Sequence, residues 1–196
     1  MRALRFGPDA VLVEVADTAT ALDIALWSRE RITALDIVPA AGTVLFDGVA
    51  DIDAVLATLE EWRPGGSDVE GDLVEVPTTY DGPDLADVAR TWGIEVDDLV
   101  ERHSSTEHVV AFCGFSPGFP YLTNTLGLPP VPRRSSPRAR VEPGSVGLAG
   151  EWTGIYPTAS PGGWQLIGRT TVRLFDPAAR QPALLPPGTR VRFTRA

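Results

Sequence analysis

"HVVAFCGFSPGFPYL", residues 108–122, starts as a strand and then breaks. Val109 to Cys113 is an apolar run of strand type. Gly114, Pro117, Gly118 and Pro120 interrupt it within seven residues, and Phe115, Phe119 and Tyr121 are interleaved with them. The stretch is too broken for a helix and too apolar for an ordinary surface loop, so it reads as a stiff, glycine-punctuated hairpin. It also marks a change of pattern. From Glu107 onward short strand-like runs follow closely: "SVGLAG", "GIYPT", "GWQLIG", "TVRLF" and "RVRFTR". Turns at Pro143-Gly144, Pro161-Gly162-Gly163 and Pro187-Gly188 separate them. Many short strands with Gly/Pro turns predict a small barrel or sandwich.

Upstream of the hairpin the period is helical. "GPDLADVARTWGIEVDDLVERHSS", residues 82–105, puts Leu85, Val88, Ala89 and Trp92 on one face. Val96, Leu99, Val100 and His103 line up in the same way after Gly93. Two short helices joined at a glycine resemble a helix-turn-helix. The second carries Glu95, Asp97, Asp98 and Glu101, the wrong charge for phosphates, so a packed helical pair is expected.

The first third alternates. Gly7-Pro8-Asp9 turns between two strand-like runs, and a helix capped at Asp17 or Thr18 presents Leu22, Ala25 and Leu26. "DIVPA" and "TVLFDG" are strands. Ile52, Val55, Leu56 and Leu59 make an amphipathic helix capped by Asp51. A loop at residues 63–72 precedes the strand "LVEVPTTY". The order β-α-β-β-α-β is that of a ferredoxin-like unit. The expected class is α+β, with the ferredoxin-like domain over residues 1–78 and a β-barrel domain with a leading helical pair over residues 79–196.

The 196 residues are 43% hydrophobic and 22% charged, sufficient for a normal core. A formal net charge of -9 argues against a generic binder of nucleic acid or anionic membrane. The N-terminus shows no signal-peptide pattern, and no segment has the apolar length of a membrane span, so a cytoplasmic location is expected. The single cysteine, Cys113, excludes an internal disulfide and reads as a buried thiol. No phosphate-binding loop of the G-x-x-x-x-G-K-[ST] type, nucleophile elbow or metal-ligand cluster occurs, so no metal is expected.

Candidate site residues lie in the glycine-proline loops. Gly114, Phe115, Pro117, Gly118, Phe119 and Tyr121 form one group; Tyr156, Ser160, Pro161, Gly162, Gly163 and Trp164 form a second. Glycine allows close backbone approach to a ligand, proline stiffens the loop, and aromatics can wall a pocket. The alternative is that these are barrel turns with core aromatics. His103, on an apolar face, is either a core histidine or a general acid or base at a pocket edge. Arg133, Arg134, Arg138 and Arg140 form either a solvated basic loop or a clamp for carboxylate or phosphate.

Six motifs occur in order: "GFSPGFPYL", "PRRSSPR", "EPGSVGLAG", "TGIYPTASPGGWQLIGRT", "LFDP" and "PPGTRVRF". With them the chain resembles the Kip-inhibitor family, which is also known as allophanate hydrolase subunit 1 and as the B-type component of 5-oxoprolinase. The resemblance covers nearly the whole chain and is densest over residues 103–193. Trp152 stands where the family usually has Gln, and His108 where tyrosine is common.

The resemblance implies a cyclophilin-like barrel. It implies one component of an ATP-dependent 5-oxoprolinase that hydrolyses 5-oxo-L-proline to L-glutamate only with A-type and C-type partners. ATP would act at the level of the complex. His103 would move the proton, Arg138 would pair an anionic oxygen, and both would share one cleft with the glycine loops. Two alternatives follow from the same family: an inhibitory module for a sensor histidine kinase, and half of a biotin-dependent urea-type carboxyltransferase.

Overall fold

A computed structural model describes residues 1–65 and 71–196 as a mixed α+β chain. Of the loop expected over residues 63–72, residues 66–70 lie outside the described residues. The chain divides into two compact units, Met1–Gly71 and Asp72–Ala196.

In the first unit β1 (Arg2–Arg5) and β2 (Val11–Glu14) form a hairpin whose turn places Gly7 at φ +76°. Helix α1 (Thr18–Ser28) follows, then β3 (Asp36–Pro39), β4 (Thr43–Asp47) and α2 (Ile52–Glu60). Both helices start where a carboxylate can take an orphan amide. Asp17 accepts from Thr20 N at 2.8 Å and Asp51 from Ala54 N at 3.0 Å. Val11, Val13, Ile24, Phe46 and Leu59 are fully buried between sheet and helices. Such side chains each contribute roughly 1.5–3 kcal/mol. Leu22 is only half-buried; Ala21, Ile24 and Ala25 carry the inner face of α1 instead.

The sheet order is β1-β2-β4-β3, antiparallel throughout. β4 lies between β2 and β3, which are therefore parallel to each other: a split β-α-β. The strand expected to complete the unit after α2 is not there. β1 occupies that edge, because its two-strand hairpin with β2 closes locally. The next strand falls in the second compact unit, Asp72–Ala196.

That strand is β5 (Leu73–Thr78), followed by α3 (Leu85–Trp92) and α4 (Val96–Ser105). Then come β6 (Glu107–Cys113), β7 (Pro120–Asn124), β8 (Arg138–Val141), β9 (Ser145–Ala149), β10 (Trp152–Ile155), β11 (Ser160–Gly162), β12 (Gln165–Arg169) and β13 (Arg190–Arg195). Seven strands form one sheet in the order β12-β9-β10-β7-β6-β13-β5, and β8 with β11 forms a separate ribbon. Only β5 and β13 are parallel.

The two edges of the large sheet are joined. Thr79 and Arg169 exchange both backbone bonds at 2.9 Å, and Gly82 N and Asp84 N donate to Ile167 O and Leu166 O at 3.2 and 3.0 Å. Chain crossing this close requires glycine. A Cβ on Gly168 would sit 2.6 Å from Thr79 O, and one on Gly82 would overlap Leu166 O. Helices α3 and α4 meet at Gly93, in the left-handed region at φ +66°. They bury Leu85, Val88, Ala89, Leu99 and Val100 with Val110, Leu122, Val146 and Ile155. Glu95, Asp97, Asp98 and Glu101 face solvent, as in a packed pair.

Two expected elements differ. "TVRLF" is not a strand; only Phe175 forms a bridge, to Ala183. Its apolar pattern reflects burial of Leu174 in the core, not a ladder. Pro161-Gly162 is not a plain turn but part of β11, whose ladder has a bulge at this point.

Candidate functional site

Along β10 successive side chains alternate between two faces of the sheet. Thr153 and Ile155 point to the core beneath α3 and α4. Gly154 and Tyr156 point to an aromatic cluster of Phe119, Tyr156 and Trp164. A Cβ on Gly154 would stand 2.7 Å from the Trp164 ring and 2.9 Å from Phe119, so the missing side chain is what lets the rings reach the sheet. The rings meet edge to face. Phe119 lies 5.1 Å from Tyr156, 5.3 Å from Trp164 and 5.4 Å from Phe115, and Tyr121 lies 5.5 Å from Trp164.

The β6–β7 connection sets one wall. Gly114 N donates to Phe119 O at 3.1 Å and Phe119 N to Ser116 O at 3.0 Å. This tight loop holds Phe115 at φ +67°, the only left-handed residue other than glycine among the described residues. Phe115 is 62% exposed, so the backbone strain serves to hold an aromatic at a rim instead of in the core. Gly118, at φ +78°, lies against Phe175, where a Cβ would come within 2.7 Å of that side chain.

Above the rings is an open cavity of about 320 Å³. Phe115, Phe119, Tyr121, Tyr156, Pro161, Gly162, Gly163 and Trp164, expected as site residues, all line it. Arg133, Arg134 and Pro137 complete the lining. Gly114, Pro117, Gly118 and Ser160 do not line it; the first three shape the hairpin and Ser160 lies in the ribbon. The Arg133 guanidinium carbon is 6.0 Å from the Trp164 ring centroid. Burial pushes the Tyr121 and Tyr156 phenols upward, with Arg133 opposing the shift, so both remain O–H groups at neutral pH. The lining thus supplies aromatic faces, guanidinium groups and phenols, but no carboxylate or imidazole.

His103 is not in this cavity, which corrects the single-cleft expectation. It is fully buried under α4, on the other face of β10. Tyr80 Oη lies 2.8 Å from its Nδ1 and Thr153 Oγ1 3.5 Å from its Nε2. The His108 and Phe193 rings pack against it at 4.9 and 4.5 Å. Burial first, and His108 second, hold its pKa well below the ordinary range, so it is a neutral core imidazole. The apolar helical face that carried it in the sequence was a core face.

Arg138 is also placed differently. Its Nη2 bonds Asp84 Oδ1 and Oδ2 at 2.7 and 2.8 Å, and its Nη1 donates to Trp164 O at 3.3 Å. Arg134 Nη1 reaches the same carboxylate at 3.1 Å, and Leu166 N donates to it at 2.6 Å. The Asp84 side chain is 3% exposed. Arg138 therefore serves as an internal counter-ion. Asp84 escaped the sequence reading because a G-P-D before an apolar helix reads as a cap. It stands at the cap position of α3, but its side chain makes no cap bond. Cys113 donates to Leu185 O at 3.4 Å, and burial pushes its thiol up to about 11. No group of three or more metal-ligating side chains occurs among the described residues, and no helix there is long and apolar enough to cross a membrane.

A family model described as "Carboxyltransferase domain, subdomain C and D" matches residues 1–185. Three curated relatives are named as the B-type subunit of 5-oxoprolinase. The Escherichia coli O157:H7 protein is 48% identical over 146 residues, covering 72% of this chain and 67% of its own. The Bacillus subtilis (strain 168) protein is 41% identical over 148 residues, 74% of this chain and 60% of its own. The Haemophilus influenzae protein is 43% identical over 159 residues, 77% of this chain and 73% of its own. The matched region thus spans roughly two thirds of these relatives. Among solved structures, TTHA0988 superposes with a TM-score of 0.78 at 34% identity, covering 96% of this chain and 40% of the other. PH0987 from Pyrococcus horikoshii gives 0.61 at 32% identity, covering 100% and 97%. The K. lactis urea amidolyase gives 0.68 at 19% identity, covering 99% of this chain and 15% of its own, and shares the fold.

Proposed function

Because the chain belongs to the family of carboxyltransferase subdomains C and D, and because its curated relatives are named as the B-type subunit of 5-oxoprolinase, we propose that it is the corresponding component of a cytoplasmic, ATP-dependent 5-oxoprolinase. The complex would open 5-oxo-L-proline to L-glutamate, with partner subunits of the A and C type. The names of the relatives favour this over the kinase-inhibitor and carboxyltransferase readings. The two units would be separate domains, a permuted ferredoxin-like one and a cyclophilin-like barrel.

The observation that carries the reading is the cavity. Apolar ring faces and guanidinium groups suit a small cyclic acid, and the lining residues include no proton acceptor of the carboxylate or imidazole type. The lactam amide is resonance-stabilised, so its hydrolysis needs activation and a base. In this reading the chain binds and orients the ring and excludes water from its apolar face. The two phenols supply O–H donors, and the base comes from a partner subunit. ATP would supply the driving force at the level of the complex. Phosphorylating the amide oxygen, with ADP released, would make the carbonyl carbon open to water. The C–N bond would break, with the ring nitrogen taking a proton to become the amine of glutamate. The acyl phosphate so formed would be hydrolysed to carboxylate and phosphate. No group of three or more metal-ligating side chains occurs among the described residues, and ATP is assigned to the complex as a whole.

Co-expression with a C-type subunit tests the partnership. Stoichiometric co-purification is expected. A chain that stays apart from that subunit but binds a sensor kinase would replace this reading with the inhibitory one.

A further inference from the structure

We infer that Arg133 is the carboxylate anchor of the cavity, so that the site selects a small cyclic acid over a neutral amide of the same ring size. This rests on the cavity being the lactam site. Three arginines border it or its rim, and two are already committed. Arg134 and Arg138 share the buried carboxylate of Asp84. Arg133 has no carboxylate partner among the described residues and projects over the Trp164 ring instead. Its backbone is not loose. On one side Gln165 Nε2 donates to Pro132 O at 3.1 Å, and on the other Arg134 N donates to Gly163 O at 2.8 Å. The guanidinium is therefore presented from a pinned segment, and part of the ordering cost of binding is already met.

The charge pattern points the same way. The chain carries a net -9, yet two guanidinium groups share one carboxylate at this rim, a third has none, and no acidic residue lines the cavity. An anion is drawn to such a spot, and the planar guanidinium fork matches a carboxylate in two bonds. Phe115, which is exposed, and Tyr121, which is partly exposed, lie on the same cavity and offer ring surface for a small ring. A neutral lactam or a urea-like amide meets those faces equally well but has nothing for Arg133.

Steady-state kinetics of the reconstituted complex test this, with 5-oxo-L-proline as substrate and 2-pyrrolidinone, the same ring without the carboxylate, as competitive inhibitor. Arg133→Gln is expected to raise the KM for 5-oxoproline roughly 10- to 100-fold, the span of a charge-assisted bond, and to leave the Ki for 2-pyrrolidinone unchanged. Arg133→Lys should recover part of the loss. An unchanged KM, or equal changes in KM and Ki, overturns the inference; equal changes are what mere distortion of the cavity would give. If the wild-type complex releases no glutamate, the reaction reading fails separately. Tryptophan-fluorescence titration of the full chain with 5-oxoproline then decides the anchor. Saturable quenching that Arg133→Gln weakens upholds it, while identical titrations, or none, overturn it.

Discussion

Asp84 balances two guanidinium groups from almost complete burial, and its four contacts tie the arginine loop to β12. Removing it leaves Arg134 and Arg138 facing each other without a counter-charge, and Leu166 N without an acceptor. Breaking a buried pair from one side costs about 3–5 kcal/mol. Asp84→Ala should lower the free energy of urea unfolding by about that amount; a loss below about 1 kcal/mol would show a surface-like pair. The two histidines make a second prediction. Burial drives the His108 imidazole down to about 4, against an ordinary 6.5, and its Nε2 has no hydrogen-bond partner among the described residues. A depressed histidine means that the unfolded chain binds more protons as pH falls. Its stabilising contribution is complete above pH 6.5 and is lost progressively towards pH 4. For His108 that is about 3 kcal/mol, and His103 acts in the same direction. Unfolding free energies measured across this window should fall steeply for the native chain and more shallowly for His108→Gln. Parallel profiles would show that His108 does not drive the dependence. His103 itself shows how one sequence position supports two readings. An imidazole on an apolar helical face looks the same in sequence whether the face meets a core or a cleft. Only the partners, Tyr80, Thr153 and Phe193, decide.

The joined edges of the sheet depend on two glycines. Gly82 runs against the backbone of β12, and its φ is not in the left-handed region, so the constraint there is space alone. Gly82→Ala should cost about 1–3 kcal/mol, as overpacking does. Amide exchange should rise at Thr79 and Asp84, whose N–H groups donate across the altered crossing. Unchanged protection at those amides would mean that the edges separate without consequence. Helix caps, helix faces and the β6–β7 hairpin were legible because local chemistry decides them: Asp17 and Asp51 before apolar periods, Gly93 between helices, and glycines around Phe115. The β8–β11 ribbon was not. "RARV" and "SPG" have poor strand propensity, and they pair because the neighbouring rings and the Asp84 contacts hold them together. "TVRLF" erred the other way, with apolar spacing that came from burial of Leu174. The lining residues legible in the sequence share one cause, aromatic and glycine-proline loops. Arg133 was only one of four arginines until Asp84 distinguished it.

For the whole molecule, the two compact units divide at residues 71 and 72, whereas the change from helical to strand periodicity in the sequence comes only at Glu107, after α3 and α4. The last strand of the first unit was not legible, because β1 and β5 are equally plausible strands and only long-range pairing chooses between them. The division also separates roles. The cavity is built wholly within Asp72–Ala196, from a sheet with joined edges and a pinned arginine loop. In the proposed reading it would present a binding surface whose lining holds no carboxylate or imidazole, with the base coming from a partner subunit. The direct measurement is ATP-dependent glutamate release from 5-oxo-L-proline by mixtures of this chain with A-type and C-type subunits, each omitted in turn. Release is expected from the full mixture only, with none from this chain alone and none when it is left out. Release that persists without this chain, or robust release from this chain alone, would contradict a shared active site.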